Sequence, residues 1–323
     1  MRNGTPLDRW DAATAAYLSS RRALGRAYRK EEWILGRLRA YLACRGATDL
    51  DQALFDQWRR RFRHSSASTR VVYEITVYNF CRYRRRSDPR CFLPDRLGLA
   101  RPRPHPLPTL IERDQVARLL AYVSTPRPTS HNAARPEVLR LAIVLLYTAG
   151  LRRGEVARLT LGDVDAGAGV LRIHESKFHK SRWVPLSRSA TQELREFLAA
   201  RRAIDADLGP AAPLLCSKDG RPYSGPGLSQ SLKSVMVRSG IWAGSGRCPR
   251  VQDFRHSFAV AALLRWYEAD SDVQSNLPKL ALYMGHVSIV STAYYLRLMP
   301  VVVAQAGERF ARACGALVDG GAP

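Results

Sequence analysis

Two arginines, a lysine, a histidine and a tyrosine in this chain have the types needed for one kind of chemistry. Arg152 stands in Gly150-Leu151-Arg152-Arg153-Gly154-Glu155, and Lys177 in Ser176-Lys177-Phe178-His179-Lys180-Ser181. Arg255 stands in Asp253-Phe254-Arg255-His256, and His286 and Tyr295 lie in the stretch from Gly285 to Leu296. Together they suit the breaking of a phosphodiester by a side-chain nucleophile. A tyrosine oxygen can attack phosphorus, although its neutral phenol is a poor nucleophile near pH 7. Paired guanidinium forks can stabilise the crowded oxygens of the transition state. A lysine on a turn can protonate the leaving 5′ oxygen, and a histidine beside the phosphate can hold it or shuttle a proton. No step needs a metal or ATP.

The elements that carry these residues are mostly helices. The run from Arg135 to Tyr147 is apolar nearly all round, so it predicts a buried helix, with Gly150 placed to end it. Helices are also expected over Glu112–Val123, Thr191–Arg202 and most of the chain beyond Leu228. Gly169–Glu175 and Arg182–Leu186 read as two strands joined by the basic turn that holds Lys177 and Lys180, and Leu214–Cys216 as a third. A last helix is expected over Val301–Leu317, packed on its own domain or docked on a neighbour.

The first hundred residues read as a separate helical bundle. One helix spans Tyr28–Leu42; Asp49 or Asp51 caps a second holding Leu54, Phe55 and Trp58; Ser66 or Ser68 caps a third with Val71, Val72, Ile75, Tyr78 and Phe80 as its apolar stripe. Between the two parts runs Arg101-Pro102-Arg103-Pro104-His105-Pro106-Leu107-Pro108, whose alternating prolines favour an extended strap. The expected organisation is therefore a helical DNA-binding domain over 1–100, a basic linker over 101–108 and a catalytic domain over 109–323.

Charge sets the partner class. Lys plus Arg is 51 against 28 Asp plus Glu, a net charge of +23. Residues 1–100 hold 21 of the cations and only 10 of the anions. The excess gathers at Arg59, Arg60, Arg61 and Arg63 and at Arg82, Arg84, Arg85 and Arg86, and the strap adds Arg101 and Arg103. Arginine forks match phosphate oxygens in pairs, so this balance points to nucleic acid, with binding that weakens steeply as salt rises. The 6 cysteines form no C-x-x-C pair and suggest reduced thiols and no zinc site. No segment resembles a leader peptide or a membrane span, which suggests a cytoplasmic, DNA-associated protein.

In their order and spacing the motifs resemble those of the tyrosine recombinase (phage integrase) family, over roughly 107–300. The resemblance rests on Thr148–Glu155, Ser176–Leu186, Asp253–Ala259 and Met284-Gly285-His286, with Tyr295 nine residues after His286. It implies a mainly α fold with a small β-sheet, no cofactor and no metal. It makes Arg152 and Arg255 the catalytic arginines and Lys177 the general acid, with Lys180 as its substitute. His286 becomes the phosphate-contacting histidine, Tyr295 the nucleophile, and Glu155 and His256 supporting residues. Tyr294 is the rival to Tyr295. Three residues before Arg255, where the family pattern has a histidine, this chain has Gln252, which can hydrogen-bond a phosphate but cannot take a proton.

The segment between Arg255 and Gly285 is similar to that of recombinases from bacterial transposons and integrated elements. The resemblance implies double-stranded DNA as the partner, surrounded by helical domain, strap and catalytic domain. It also implies homo- or hetero-oligomers of recombinase protomers on the DNA. The activity implied is strand cleavage and rejoining through a 3′-phosphotyrosyl bond. Two alternatives share these residues: an impaired DNA-binding subunit of a multi-recombinase assembly, and a type IB topoisomerase.

Overall fold

The computed structural model describes residues 7–101, 108–125, 136–174, 181–202, 209–217, 220–242, 246–286 and 288–298. Arg103, Lys177, Lys180 and the helix expected over Val301–Leu317 lie outside the described residues. The chain divides into two compact units, Met1–Pro106 and Leu107–Pro323.

The first unit is built from α1 (Asp8–Arg22), α2 (Arg29–Cys44), α3 (Gln52–Arg60) and α4 (Ala67–Arg84). Its core joins Trp10, Tyr17, Leu35, Leu38, Phe55, Trp58, Val77 and Phe80. Asp51 caps α3 by accepting from the Leu54 N–H at 2.7 Å, and Ser66 caps α4 by accepting from the Thr69 N–H at 3.2 Å. The buried face of α4 carries Tyr73, Val77, Phe80 and Cys81, one stripe around from the expected one; Val71, Val72, Ile75 and Tyr78 are half-buried. Tyr73 and Phe80 take that face because they meet Phe62 and Trp10 edge-on, with centroids 4.6 and 5.0 Å apart. Asp49 takes both Arg84 Nη1 and Nη2 at 2.6 Å, and Arg84 lies over the Trp10 ring. Arg84 is therefore committed inside the unit, whereas Arg60, Arg61, Arg63, Arg82, Arg85 and Arg86 are exposed.

In the second unit, α5 (Arg113–Ser124) leads to α6 (Pro136–Thr148), which is buried along most of its length. Around α6 pack α5, α8 (Arg188–Arg202), α9 (Gly225–Arg238) and α10 (Val251–Glu268). The short α7 (Arg153–Val156) follows α6, and after α10 come α11 (Val273–Met284), α12 (Val290–Ala293) and a 3-10 turn over Tyr294–Leu298. A three-stranded antiparallel sheet, β1 (Val164–Asp165), β2 (Val170–Ile173) and β3 (Arg182–Pro185), lies in that order. Leu171 pairs with Val184 and both are buried; Arg172 pairs with the exposed Trp183. The third strand is thus Val164–Asp165 and not Leu214–Cys216. Around the latter, Pro213 and Cys216 make only isolated bridges. The Pro213 and Leu214 carbonyls are taken by the Arg201 guanidinium, so no continuous edge is left to extend a ladder. Among the described residues, no helix is long and apolar enough to cross a membrane.

Gly150 fixes how α6 hands over to Arg152. Its φ is +59°, and a β-carbon there would lie 2.3 Å from the Phe258 ring. Gly150→Ala should therefore lower stability by more than the ~1–2 kcal/mol of left-handed backbone strain alone. Gly240→Ala, also left-handed (φ +65°) but with open space around it, should cost only the backbone part. Calorimetric melting of the two variants checks the order, and equal losses would contradict it.

Candidate active site

The end of α11 organises the site. Gly285 closes the helix in the left-handed region (φ 67°, ψ 43°), with its N–H bonded to Leu282 O and that of His286 to Ala281 O. The next three carbonyls have no helical partner. Each accepts from a different arginine: Tyr283 O from Arg182 Nε at 2.8 Å, Met284 O from Arg255 Nη2 at 2.6 Å, and Gly285 O from Arg152 Nη2 at 2.6 Å. The partial negative charge of a helix C-terminus favours this. A β-carbon on Gly285 would meet Arg182 Nη1 at 2.9 Å, so the approach needs glycine.

Glu155 ties the other side together. Its carboxylate takes Arg182 Nη1 and Nη2 at 3.0 Å each, Arg152 Nη1 at 2.7 Å and the Arg152 N–H at 2.9 Å. Burial raises its pKa, but the Arg182 fork and the Arg152 contacts outweigh burial and bring it down to about 2. Arg255 is 1% exposed, and its Nη1 donates to Gly150 O at 2.6 Å. Burial and then the nearby Arg152 charge lower its pKa to about 10, so it stays cationic at neutral pH. Each guanidinium has five N–H donors, so these bonds leave hydrogens on Arg152 and Arg255 for an anion.

Tyr295 is 3% exposed and packs against Ala259, Leu263, Leu280 and Met284 of α10 and α11. Its hydroxyl lies 3.0 Å from His256 Nδ1. Burial raises its phenol, while the charges of Arg255 and Arg152 pull it back. The tyrosine, both arginines and the histidines thus come together within one chain. Tyr294 is 39% exposed and stands edge-on to Tyr295. His286 lies nearly parallel to the Tyr295 ring at 6.3 Å, and its Nδ1 is 2.7 Å from Thr292 Oγ1. Burial, then the charges of Arg255 and Arg152, lower His286 to about 4, so the ring is neutral. In the tautomer in which the Thr292 hydroxyl donates to Nδ1, the ring proton is on Nε2 and can be donated.

Gln252 is exposed and lines a cavity of about 520 Å³ with Arg152, Arg153, Lys233 and Arg250. Sequence reasoning missed Arg182, Lys233 and Arg250, and it placed His256 behind the site where the structure puts it on the tyrosine hydroxyl. Arg182 read as the first residue of a strand. Its one available signal was its position directly after the basic segment, as the first residue of β3, opposite Ile173 at the end of β2.

Three comparisons bear on this geometry. The phage integrase family model matches residues 109–300. The integrase/recombinase-type protein y4rB of Sinorhizobium fredii is 34% identical over 306 residues, covering 93% of this chain and 96% of its own. A tyrosine recombinase XerC of Lactobacillus delbrueckii is 25% identical over 191 residues, 58% of each chain. The Tn1549 transposon integrase in complex with transposon right end DNA shares the fold with TM-score 0.65 at 16% identity, over 93% of this chain and 98% of that one. A lambda integrase tetramer bound to a Holliday junction gives TM-score 0.62 at 16% identity, over 90% and 76%. With its motif order and these matches, the chain belongs to the phage integrase family and is a tyrosine recombinase, an enzyme that cleaves and rejoins DNA at specific sites.

Proposed function

We propose that this chain binds duplex DNA and cleaves one strand with Tyr295, forming a 3′-phosphotyrosyl bond and freeing a 5′ hydroxyl. The bond energy is kept in the adduct, so attack by a 5′ hydroxyl reverses the step and rejoins or exchanges strands. Arg152 and Arg255 hold the non-bridging oxygens of the scissile phosphate, and His286 donates to it from Nε2. Lys177, between β2 and β3 in sequence, protonates the leaving 5′ oxygen, and Lys180 is the substitute. Glu155 and Arg182 act through Arg152, fixing its fork. Gln252 donates a hydrogen bond to a neighbouring phosphate oxygen across its basic cavity.

The observation that carries this reading is the placement of the Tyr295 hydroxyl beside the charges of its own Arg255 and Arg152. The likeness to a transposon integrase and to a tetramer on a Holliday junction supports a mobile-element substrate and action by several protomers on DNA. The protein works on DNA in the cytoplasm. In the first unit the exposed Arg60, Arg61, Arg63, Arg82, Arg85 and Arg86 meet the phosphate backbone, with Arg101 beside them in sequence; Arg59 is partly turned inward, donating to Gly98 O at 3.0 Å.

A nicked suicide duplex built from the DNA flanking the gene tests the chemistry. Wild-type protein and Tyr294→Phe should form a denaturant-stable adduct, and Tyr295→Phe should form none. An adduct that survives in Tyr295→Phe would refute the assignment. Salt titration of DNA binding tests the arginine face. Arg85→Gln with Arg86→Gln should reduce the slope of log K against log salt by roughly 2, at about 0.9 per phosphate contact. Arg84→Gln should instead lower the melting temperature, through the lost Asp49 pair.

A further inference from the structure

Tyr295 cannot attack efficiently while it keeps its proton, and burial makes that proton harder to lose. The residue where the family pattern has a histidine is Gln252, which has no basic nitrogen at neutral pH and lines a cavity on the Arg152 side. His286 has its Nδ1 engaged by Thr292 and its ring alongside the tyrosine ring, not on the hydroxyl. His256 is the histidine in contact with the hydroxyl, 3.0 Å from it through Nδ1. It lies four residues after Gln252, one turn along the same face of α10, directly after Arg255.

We infer that His256 is the proton acceptor for Tyr295 in this chain, a catalytic role displaced by one helical turn from the position of Gln252. The inference rests on the reading of Tyr295 as nucleophile. In the cleavage step, the Tyr295 Oη–H bond breaks and its proton goes to His256 Nδ1. Oη forms the bond to phosphorus as the bond to the 5′ oxygen breaks, and that oxygen takes its proton from Lys177. Rejoining runs the same transfers backward: the 5′ hydroxyl attacks, Oη leaves, and His256 returns the proton.

The surroundings suit the task. The groups near His256 are Asp253, Arg250 and Arg255 of α10, Tyr295 of the 3-10 turn and His286 of the loop after α11. Burial lowers its pKa below the usual histidine value, Asp253 opposes that, and Arg250 and Arg255 add to it. The ring is therefore neutral at pH 7 and able to accept. The imidazolium formed during the step has the buried Asp253 carboxylate one turn away as a countercharge.

The test is single-turnover adduct formation on the suicide duplex, with DNA retention measured in parallel. His256→Asn keeps a polar group beside Tyr295 but cannot take the proton. It should cleave about 100-fold or more slower than wild type, within the usual span of general-base contributions, at unchanged DNA affinity. Wild type should rise in rate with pH below neutrality as His256 loses its proton, and His256→Asn should lack that rise. Added imidazole should restore part of the rate to His256→Gly. A duplex with sulfur in place of the scissile 5′ oxygen leaves without needing a proton, so it separates the two ends of the reaction. The His256→Asn defect should persist on it. Wild-type rates from His256→Asn, or a defect that vanishes with the sulfur substrate, would overturn the inference while leaving Tyr295 as nucleophile. No adduct from wild-type protein would overturn the proposed function itself, a different and separately visible result.

Discussion

Three consecutive carbonyls at the end of α11 hold this active site together. Tyr283, Met284 and Gly285 each lose their helical donor, and each is given an arginine instead. The helix end thereby satisfies its own exposed acceptors and fixes three guanidiniums within one short stretch of backbone. Glu155 then clamps two of the three from the other side. One carboxylate against three arginines leaves the cluster with an excess of positive charge. A buried excess of this kind is costly alone and is relieved when a phosphate enters, which favours the developing charge of a phosphoryl transition state. His286 follows directly on the three carbonyls, and Tyr295 packs on the same two helices, so both inherit their positions from this arrangement.

The arrangement also explains why the proposed nucleophile needs help. Tyr295 is held by apolar contacts with Ala259, Leu263 and Met284, which position it but raise its phenol. The nearby guanidiniums lower the phenol again only in part. A neutral base in contact with the hydroxyl resolves the conflict without adding another charge before substrate arrives. Burial of His256 and His286 keeps both rings uncharged beside the arginines.

Much of this was legible in the sequence because the motifs are local. Gly150 before Arg152, the glycine–histidine pair and the nine-residue step to Tyr295 each sit within a turn or two of one helix end. The cap at Ser66 and the hairpin strands were legible for the same reason, since capping and alternation depend on near neighbours. What stayed hidden depends on distant partners. Arg182 lies 27 residues from the Glu155 it pairs with and 101 from the Tyr283 carbonyl. His256 meets a tyrosine 39 residues away. Arg84 looked like one more surface cation until Asp49 claimed it. The third strand went astray because Leu214–Cys216 is apolar enough for a strand, while the Leu214 carbonyl is already used by Arg201.

In the proposed reaction Tyr295 works beside the arginines of its own chain. Mixing two inactive variants, Tyr295→Phe and Arg255→Gln, on the suicide duplex tests this most directly. If each tyrosine serves its own chain, the mixture contains no complete site and forms no adduct. An adduct restored by mixing would mean that Tyr295 reaches the arginines of a neighbour, and would contradict the account.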